Sequence, residues 1–216
     1  MCKKNLYSLF LLCSIVFFAQ NSQANLIING SFENNPIPHN SWKWFTASEV
    51  QGWDGSNIEI WHALFGIEAP DGDQLMELNA HPFSATQFQV SQEFSTEVGA
   101  VYDVSLYYRA RNNNRESFSL SVDSIFSNRH FIELANHNPS QWSFYSGSFA
   151  ADSIVTSLSL SSISPYMQTM GNLIDNVSVI KRTTNLQTTS VDEPANVSIL
   201  LTISFLLMIC TKRFKK

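Results

Sequence analysis

The segment Tyr102-Asp103-Val104-Ser105-Leu106-Tyr107-Tyr108-Arg109-Ala110-Arg111 decides the fold class. Tyr102, Val104, Leu106, Tyr108 and Ala110 alternate with Asp103, Ser105, Tyr107, Arg109 and Arg111, a period of two. A strand with one face in a core and the other in water carries this pattern, and a helix cannot. The same alternation recurs at Phe118, Leu120 and Val122 between serines, and at Leu158 and Leu160 between Ser157, Ser159 and Ser161. Further strands are expected at Leu26–Ile28, Asn57–Trp61, Gln74–Leu78, Gln87–Phe94, Phe131–Leu134, Trp142–Phe149 and Leu173–Ile180. Turn clusters such as Pro70-Asp71-Gly72-Asp73 and Asn112-Asn113-Asn114 punctuate them. No stretch of residues 25–182 reads as a long amphipathic helix, and no internal repeat is visible. About ten short strands in one domain predict an all-β antiparallel β-sandwich.

The two termini are of another kind. Lys3 and Lys4 precede an apolar run from Leu6 to Ala19, and Ser22-Gln23-Ala24 offers small residues for cleavage. Residues 1–24 therefore read as a signal peptide, an N-terminal helix removed on export. Thr183 to Ser190 is a polar linker. Residues 191–216 hold Val191-Asp192-Glu193-Pro194-Ala195, an uncharged stretch from Val197 to Cys210, and the cations Lys212, Arg213, Lys215 and Lys216. Those fourteen residues would span about 21 Å as a helix, short of a stable membrane crossing. The arrangement resembles the PEP-CTERM sorting signal of Gram-negative bacteria, although Asp192 stands where the first proline belongs and lysine outnumbers arginine. The resemblance implies transient passage through the inner membrane, a sorting protease of the exosortase type, and a destination at the cell surface or outside the cell. An ordinary C-terminal membrane anchor is the alternative.

All three cysteines, Cys2, Cys13 and Cys210, lie in these terminal segments. The domain between them uses neither disulfides nor cysteine-ligated zinc. It carries seven lysines and arginines against sixteen carboxylates, a net charge near −9. Such a surface repels nucleic acid and suits neutral glycans or divalent cations.

Three pieces then fall in a telling order: Asn25-Leu26-Ile27-Ile28-Asn29-Gly30-Ser31-Phe32-Glu33, Val50-Gln51-Gly52-Trp53, and Leu173-Ile174-Asp175-Asn176-Val177-Ser178-Val179. With Pro70–Leu78 and Ser91–Phe94 between them, they resemble the galactose-binding-like jelly roll of many carbohydrate-binding modules. The resemblance implies glycan binding without catalysis, and a structural calcium ion (Ca2+) held by Glu33 and Asp175. Asp175 shares the parity of Leu173, Val177 and Val179, so its carboxylate is expected on the apolar face, where it needs a cation or several donors. Asp71 and Asp73 are further candidate donors, or simply members of a turn.

Aromatic residues crowd Trp42, Trp44, Phe45, Trp53, Trp61 and Phe65. Flat rings stack on the apolar faces of sugars, so Trp42, Trp44 and Trp61 are candidate ligand contacts, with Trp42 and Trp44 on a loop at the rim. Trp53 is expected in the core. Tyr107 and Arg109, on the polar face of their strand, are candidate glycan readers or members of a solvated sheet face. No nucleophile elbow, His-Glu-x-x-His pair or phosphate loop occurs, and the five histidines are scattered. The expected function is binding of a polysaccharide, with an exopolysaccharide as the expected ligand. An adhesive matrix protein that binds another protein is the alternative, and a small glycan-processing enzyme with paired carboxylates a weaker one.

Overall fold

The computed structural model describes residues 23–83, 86–124, 130–135 and 137–183. Residues 1–22 of the expected signal peptide (1–24), the expected linker beyond Thr183, the expected sorting segment and all three cysteines lie outside these residues. Eleven strands follow in order: β1 (Ser41–Phe45), β2 (Asp54–Gly55), β3 (Ile58–His62), β4 (Gln74–Glu77), β5 (Gln89–Ser95), β6 (Val101–Arg109), β7 (Ser117–Ser124), β8 (His130–Leu134), β9 (Ser143–Ala150), β10 (Val155–Ser164) and β11 (Leu173–Lys181). They form two antiparallel sheets, ordered β1-β3-β4-β11-β6-β9 and β2-β5-β10-β7-β8. The architecture is the expected all-β sandwich.

The period-two runs explain why the sheets face each other. Tyr102, Val104 and Leu106 of β6 turn inward with Ile58 and Ile60 of β3 and Met76 of β4. Phe118, Leu120 and Val122 of β7 and Leu158 and Leu160 of β10 meet them from the other sheet. Each such side chain removed from water contributes about 1.5–3 kcal/mol. On the outer side of β10, Ser159 stands between Ser91 of β5 and Ser121 of β7, small polar residues on a closely packed sheet.

A joint near the amino end holds the layers in register. Residues 26–28, expected as a strand, form a bend and turn instead. Their polar groups go to β11 and β5: the Leu26 N–H donates to the Val179 carbonyl at 2.8 Å, and Ile28 exchanges two hydrogen bonds with the Gln92 side chain. Trp53, buried as expected, donates its indole N–H to the Asn29 carbonyl at 3.1 Å. Gly30 is required where it stands, because a Cβ there would fall on the Val177 carbonyl oxygen.

That contact marks a β-bulge. The pairing of β11 with β6 shifts between Asp175 and Ser178, with Asn176 at φ 49°. One extra residue turns the strand over. Leu173 and Asp175 therefore face outward, while Ile174, Val177 and Val179 belong to the inter-sheet core. The expectation that Asp175 shares a face with Val177 and Val179 is corrected by the bulge.

Candidate ligand-binding face

The outer face of the six-stranded sheet collects every aromatic and arginine candidate. Directly opposed residues on antiparallel strands share a face. Trp42 of β1 is paired with Trp61 of β3, Trp44 with Glu59, and Glu59 in turn with Glu77 of β4. Across β11, Arg109 is paired with Leu173 and Tyr107 with Asp175; Tyr107 is paired onward with Phe144 of β9.

The middle of this face is covered by the chain itself. Between β3 and β4 the segment from residue 63 to 71 crosses the sheet, and its Ile67, Leu64 and Ala69 pack on Trp61, Leu75, Leu173 and Trp142. The Trp142 indole donates to the Glu68 carbonyl at 3.0 Å. The segment is wound through left-handed conformations at Ala63 (φ 51°), Phe65 (φ 56°) and Gly66 (φ 70°). Such φ values strain residues bearing a Cβ, and burial of Leu64 and Ile67 on the sheet offsets the strain. Phe65 is left 72% exposed, edge-on to Trp61 at 5.8 Å.

This cover divides the candidates. Trp61 is 0% exposed, so it supports the face and cannot stack on a ligand. Trp42 and Trp44 remain 44% and 42% exposed. They lie on an edge strand, not the loop expected from their polar neighbours. As residues i and i+2 they project side by side, about 7 Å apart. Tyr107 and Arg109 lie four strands away, roughly 19 Å across the sheet. Tyr107 is half-buried against Phe144 at 4.8 Å. Arg109 donates from Nε and Nη2 to the Pro139 carbonyl, at 3.0 and 2.6 Å. The two groups share a face without forming one site.

Beside Trp42 and Trp44, on the same face, runs a polar network that composition alone did not reveal. Glu59 and Glu77 are both buried. Glu59 accepts from the Trp61 indole at 2.8 Å and from the His81 N–H at 3.1 Å. Glu77 accepts from Arg111 Nη1 at 2.9 Å on both oxygens and from the Gly171 N–H at 2.7 Å. Burial pushes the Glu77 carboxyl well above the usual range, against the pull of Arg111, and the Glu59 charge adds to the rise. Arg111 also lies over the Trp61 ring at 4.7 Å. The His81 ring packs on Trp42 at 5.3 Å. The buried carboxylates thus hold Trp61, Arg111 and His81 in place beside the exposed rings. Cross-strand register places Glu59 beside Glu77, a relation invisible before the strands are paired.

The four carboxylates read as calcium ligands come to one end of the sheet. The Asp71 N–H donates to Asp175 Oδ2 at 2.9 Å, and Ser31 Oγ donates to Asp71 Oδ2 at 2.5 Å. Glu33 Oε1 accepts from the N–H groups of Asp73 and Gln74, at 2.8 and 2.7 Å. Glu33 thereby caps the Asp71-Gly72-Asp73 turn, and a Cβ on Gly72 would strike its carboxylate. Asp175 is 0% exposed, and its Oδ1 has no hydrogen-bond partner. Burial pushes its carboxyl up to about 8, opposed by the backbone donors Asp71 and Asn176 and reinforced by the charges of Asp71 and Glu33. Among the described residues, no three histidine, cysteine or acidic side chains are gathered in a metal-binding arrangement. One buried oxygen therefore lacks a partner, while the other acidic side chains are not closed around it.

Comparison with known proteins places the fold. The enzymatically active domain of bacteriophage CBA120 tailspike protein 4 is similar over 73% of this chain and 21% of that one, with a TM-score of 0.50 and 13% identity. TmCBM61, solved in complex with beta-1,4-galactotriose, is similar over 74% of this chain and 99% of that one, with a TM-score of 0.47 and 15% identity. Among curated proteins, Halomucin of Haloquadratum walsbyi is 26% identical over 189 residues, 83% of this chain. The chain spans only 2% of Halomucin's length. A family model described as "Protein of unknown function (DUF642)" matches residues 25–181.

Proposed function

The chain belongs to the DUF642 family of proteins of unknown function, and from that premise we propose that its sandwich is a non-catalytic carbohydrate-binding domain. The observation that carries the proposal is the pair Trp42 and Trp44, nearly half exposed on one face of an edge strand. Indole rings in a row offer flat apolar surface to successive sugar rings. Beside them, His81 packs on Trp42 and is itself held by Glu59, which lowers the ordering cost of binding. The carboxylate pair of this face, Glu59 and Glu77, is buried and engaged with Trp61 and Arg111, which favours binding over hydrolysis. That TmCBM61 was solved with a galactan oligosaccharide is consistent with this reading. Tyr107 with Phe144, and Arg109, would supply a lesser contact area at the far side of the cover.

The sequence supports export through the inner membrane of a Gram-negative bacterium by a signal peptide over residues 1–24. A PEP-CTERM-like segment over 191–216 would then be processed by an exosortase-type protease, leaving the domain at the cell surface to bind exopolysaccharide. The unpartnered Asp175 oxygen supports a structural calcium ion. Asp175 would hold it with Glu33 or Asp71 and backbone carbonyls, since calcium takes six to eight oxygens. Asp73 serves the turn through its backbone N–H. The ion would supply positive charge to a buried carboxylate and stiffen the sandwich.

The test is a thermal melt of the full chain across a panel of soluble polysaccharides. A ligand that binds only the folded state raises the melting temperature by mass action. The expected result is a rise with at least one glycan, lost in Trp42→Ala and Trp44→Ala. No rise with any glycan would turn the assignment toward the adhesive matrix protein, with a protein as partner.

A further inference from the structure

At the edge of the five-stranded sheet a cleft of about 500 Å³ opens where β2 and the start of β5 meet the loop after His81. Its volume lies within the range of small-ligand pockets. Ser56, Asn57, Phe83, Phe88, Gln89 and Ser91 are among the residues that line it. Among the described residues that line it, none carries an ionisable side chain. The lining offers hydroxyls, amides and phenyl rings, and the exposed Asp54, paired with the lining Ser91, sets a negative charge at its border that disfavours an anionic ligand.

The walls are fixed before any ligand arrives. The Ser56 N–H donates to the Gln89 carbonyl at 2.8 Å, and the Gln89 N–H to Ser56 Oγ at 3.1 Å. Asn57 Nδ2 donates to the His81 carbonyl at 3.3 Å, tying it to the loop that carries Phe83. Phe88 is buried, whereas Phe83 stands 63% exposed. A large apolar ring left in water beside amides and hydroxyls is the combination that takes a molecule with both a hydrogen-bonding rim and an apolar face.

We propose that this cleft is a second sugar site, specific for uncharged rings and continuous with the Trp42–Trp44 platform. Continuity comes from the loop: His81 packs on Trp42, and Phe83 follows two residues later, within about 7 Å of chain. Phe83 stacks on a ring, while Asn57, Gln89, Ser56 and Ser91 bond its hydroxyls. The domain then reads a stretch of neutral polysaccharide rather than a chain end or a uronic acid polymer. This inference rests on the glycan-binding reading above and goes beyond it in site and ligand class.

The experiment is calorimetric titration of the full chain with neutral β-1,4-linked gluco-, xylo- and galacto-oligosaccharides of two to six units, with oligogalacturonates as the charged counterpart. Wild type is expected to bind one neutral series tenfold or more tightly at six units than at two. Phe83→Ala and Asn57→Ala are expected to abolish that gain while retaining binding of the shortest members. Because Phe83 is exposed, its variant should melt with wild type. A length gain that survives Phe83→Ala, or equal affinity for oligogalacturonate, overturns the second site and leaves the platform standing. Absence of binding to every series by wild type overturns the platform as well.

Discussion

Trp42 and Trp61 stand directly opposite each other on β1 and β3, yet the first is 44% exposed and the second 0%. The difference comes from what lies above them, since the segment from residue 63 to 71 covers Trp61 and stops short of the edge strand. Their replacement should therefore separate binding from stability. Trp61→Ala is expected to cost about 3–5 kcal/mol of unfolding free energy. Trp42→Ala is expected to cost under about 1 kcal/mol while removing glycan affinity. Urea denaturation of each variant, set beside a binding assay, checks both halves.

Asp175 makes stability fall as pH rises. Its carboxyl titrates at about 8 in the fold and near 4 in the unfolded chain. Between these values the native state holds a proton that the unfolded state has released. The slope approaches about −1.4 kcal/mol per pH unit from this group. Glu77, also raised by burial, acts in the same direction, so the contribution of Asp175 is read as wild type minus Asp175→Asn. Metal-free denaturation curves from pH 4 to 8 should show a shallower decline in the variant. Equal slopes would mean that Asp175 is not a buried acid.

Calcium is expected to act where that decline is deepest. At pH 7 the ion should raise the melting temperature of wild type, and a chelator should reverse the rise. Asp175→Ala should abolish the response. Asp73→Ala should leave most of it, because Asp73 meets Glu33 through its backbone. A rise retained in Asp175→Ala would place the ion elsewhere.

Arg111→Ala leaves Glu77 buried without its cation. The expected cost is about 3–5 kcal/mol at pH 8. The cost should shrink toward pH 5, because a carboxyl raised by burial loses its charge progressively as pH falls. Adding Glu77→Gln to the variant should recover part of the loss. Chemical denaturation at the two pH values resolves the single from the double variant.

Gly30→Ala should destabilise the joint by about 3 kcal/mol, since the new methyl falls on the Val177 carbonyl. Hydrogen exchange at Leu26 and Val177 should accelerate ahead of the sheet centres. Uniform acceleration would show that residues 25–30 do not open separately from the sheets.

Strands with one wet face were legible because alternation survives in composition: β6, β7, β10 and much of β11 could be placed from residue order. The edge strand β1 was not. Trp42, Lys43 and Trp44 are all exposed, so no alternation of polarity betrays it, and its tryptophans read as a loop. The bulge was hidden for the opposite reason. Val177 and Val179 sit at the spacing from Asp175 that a regular strand would give one face, and a single extra residue reverses the assignment. Aromatic richness marked a region, and strand pairing then divided it, with Trp42, Trp44 and Trp61 on the outer face and Phe45 and Trp53 in the core. Which tryptophan remained accessible depended on a segment whose path no periodicity encodes.

The joint at Leu26 and Val179 also settles how the domain bears load. The chain enters beside Leu26 and leaves after Arg182, and the two runs are bonded antiparallel, with Leu26 to Val179 and Val177 to Gly30. A pull on both ends would break these bonds one after another, as a zipper opens, instead of shearing them together. Residues 25–30 would peel away first and uncover the Val177 bulge while the sheets stay closed. Pulled from both ends, the domain would show a shallow first yield and a resistant body.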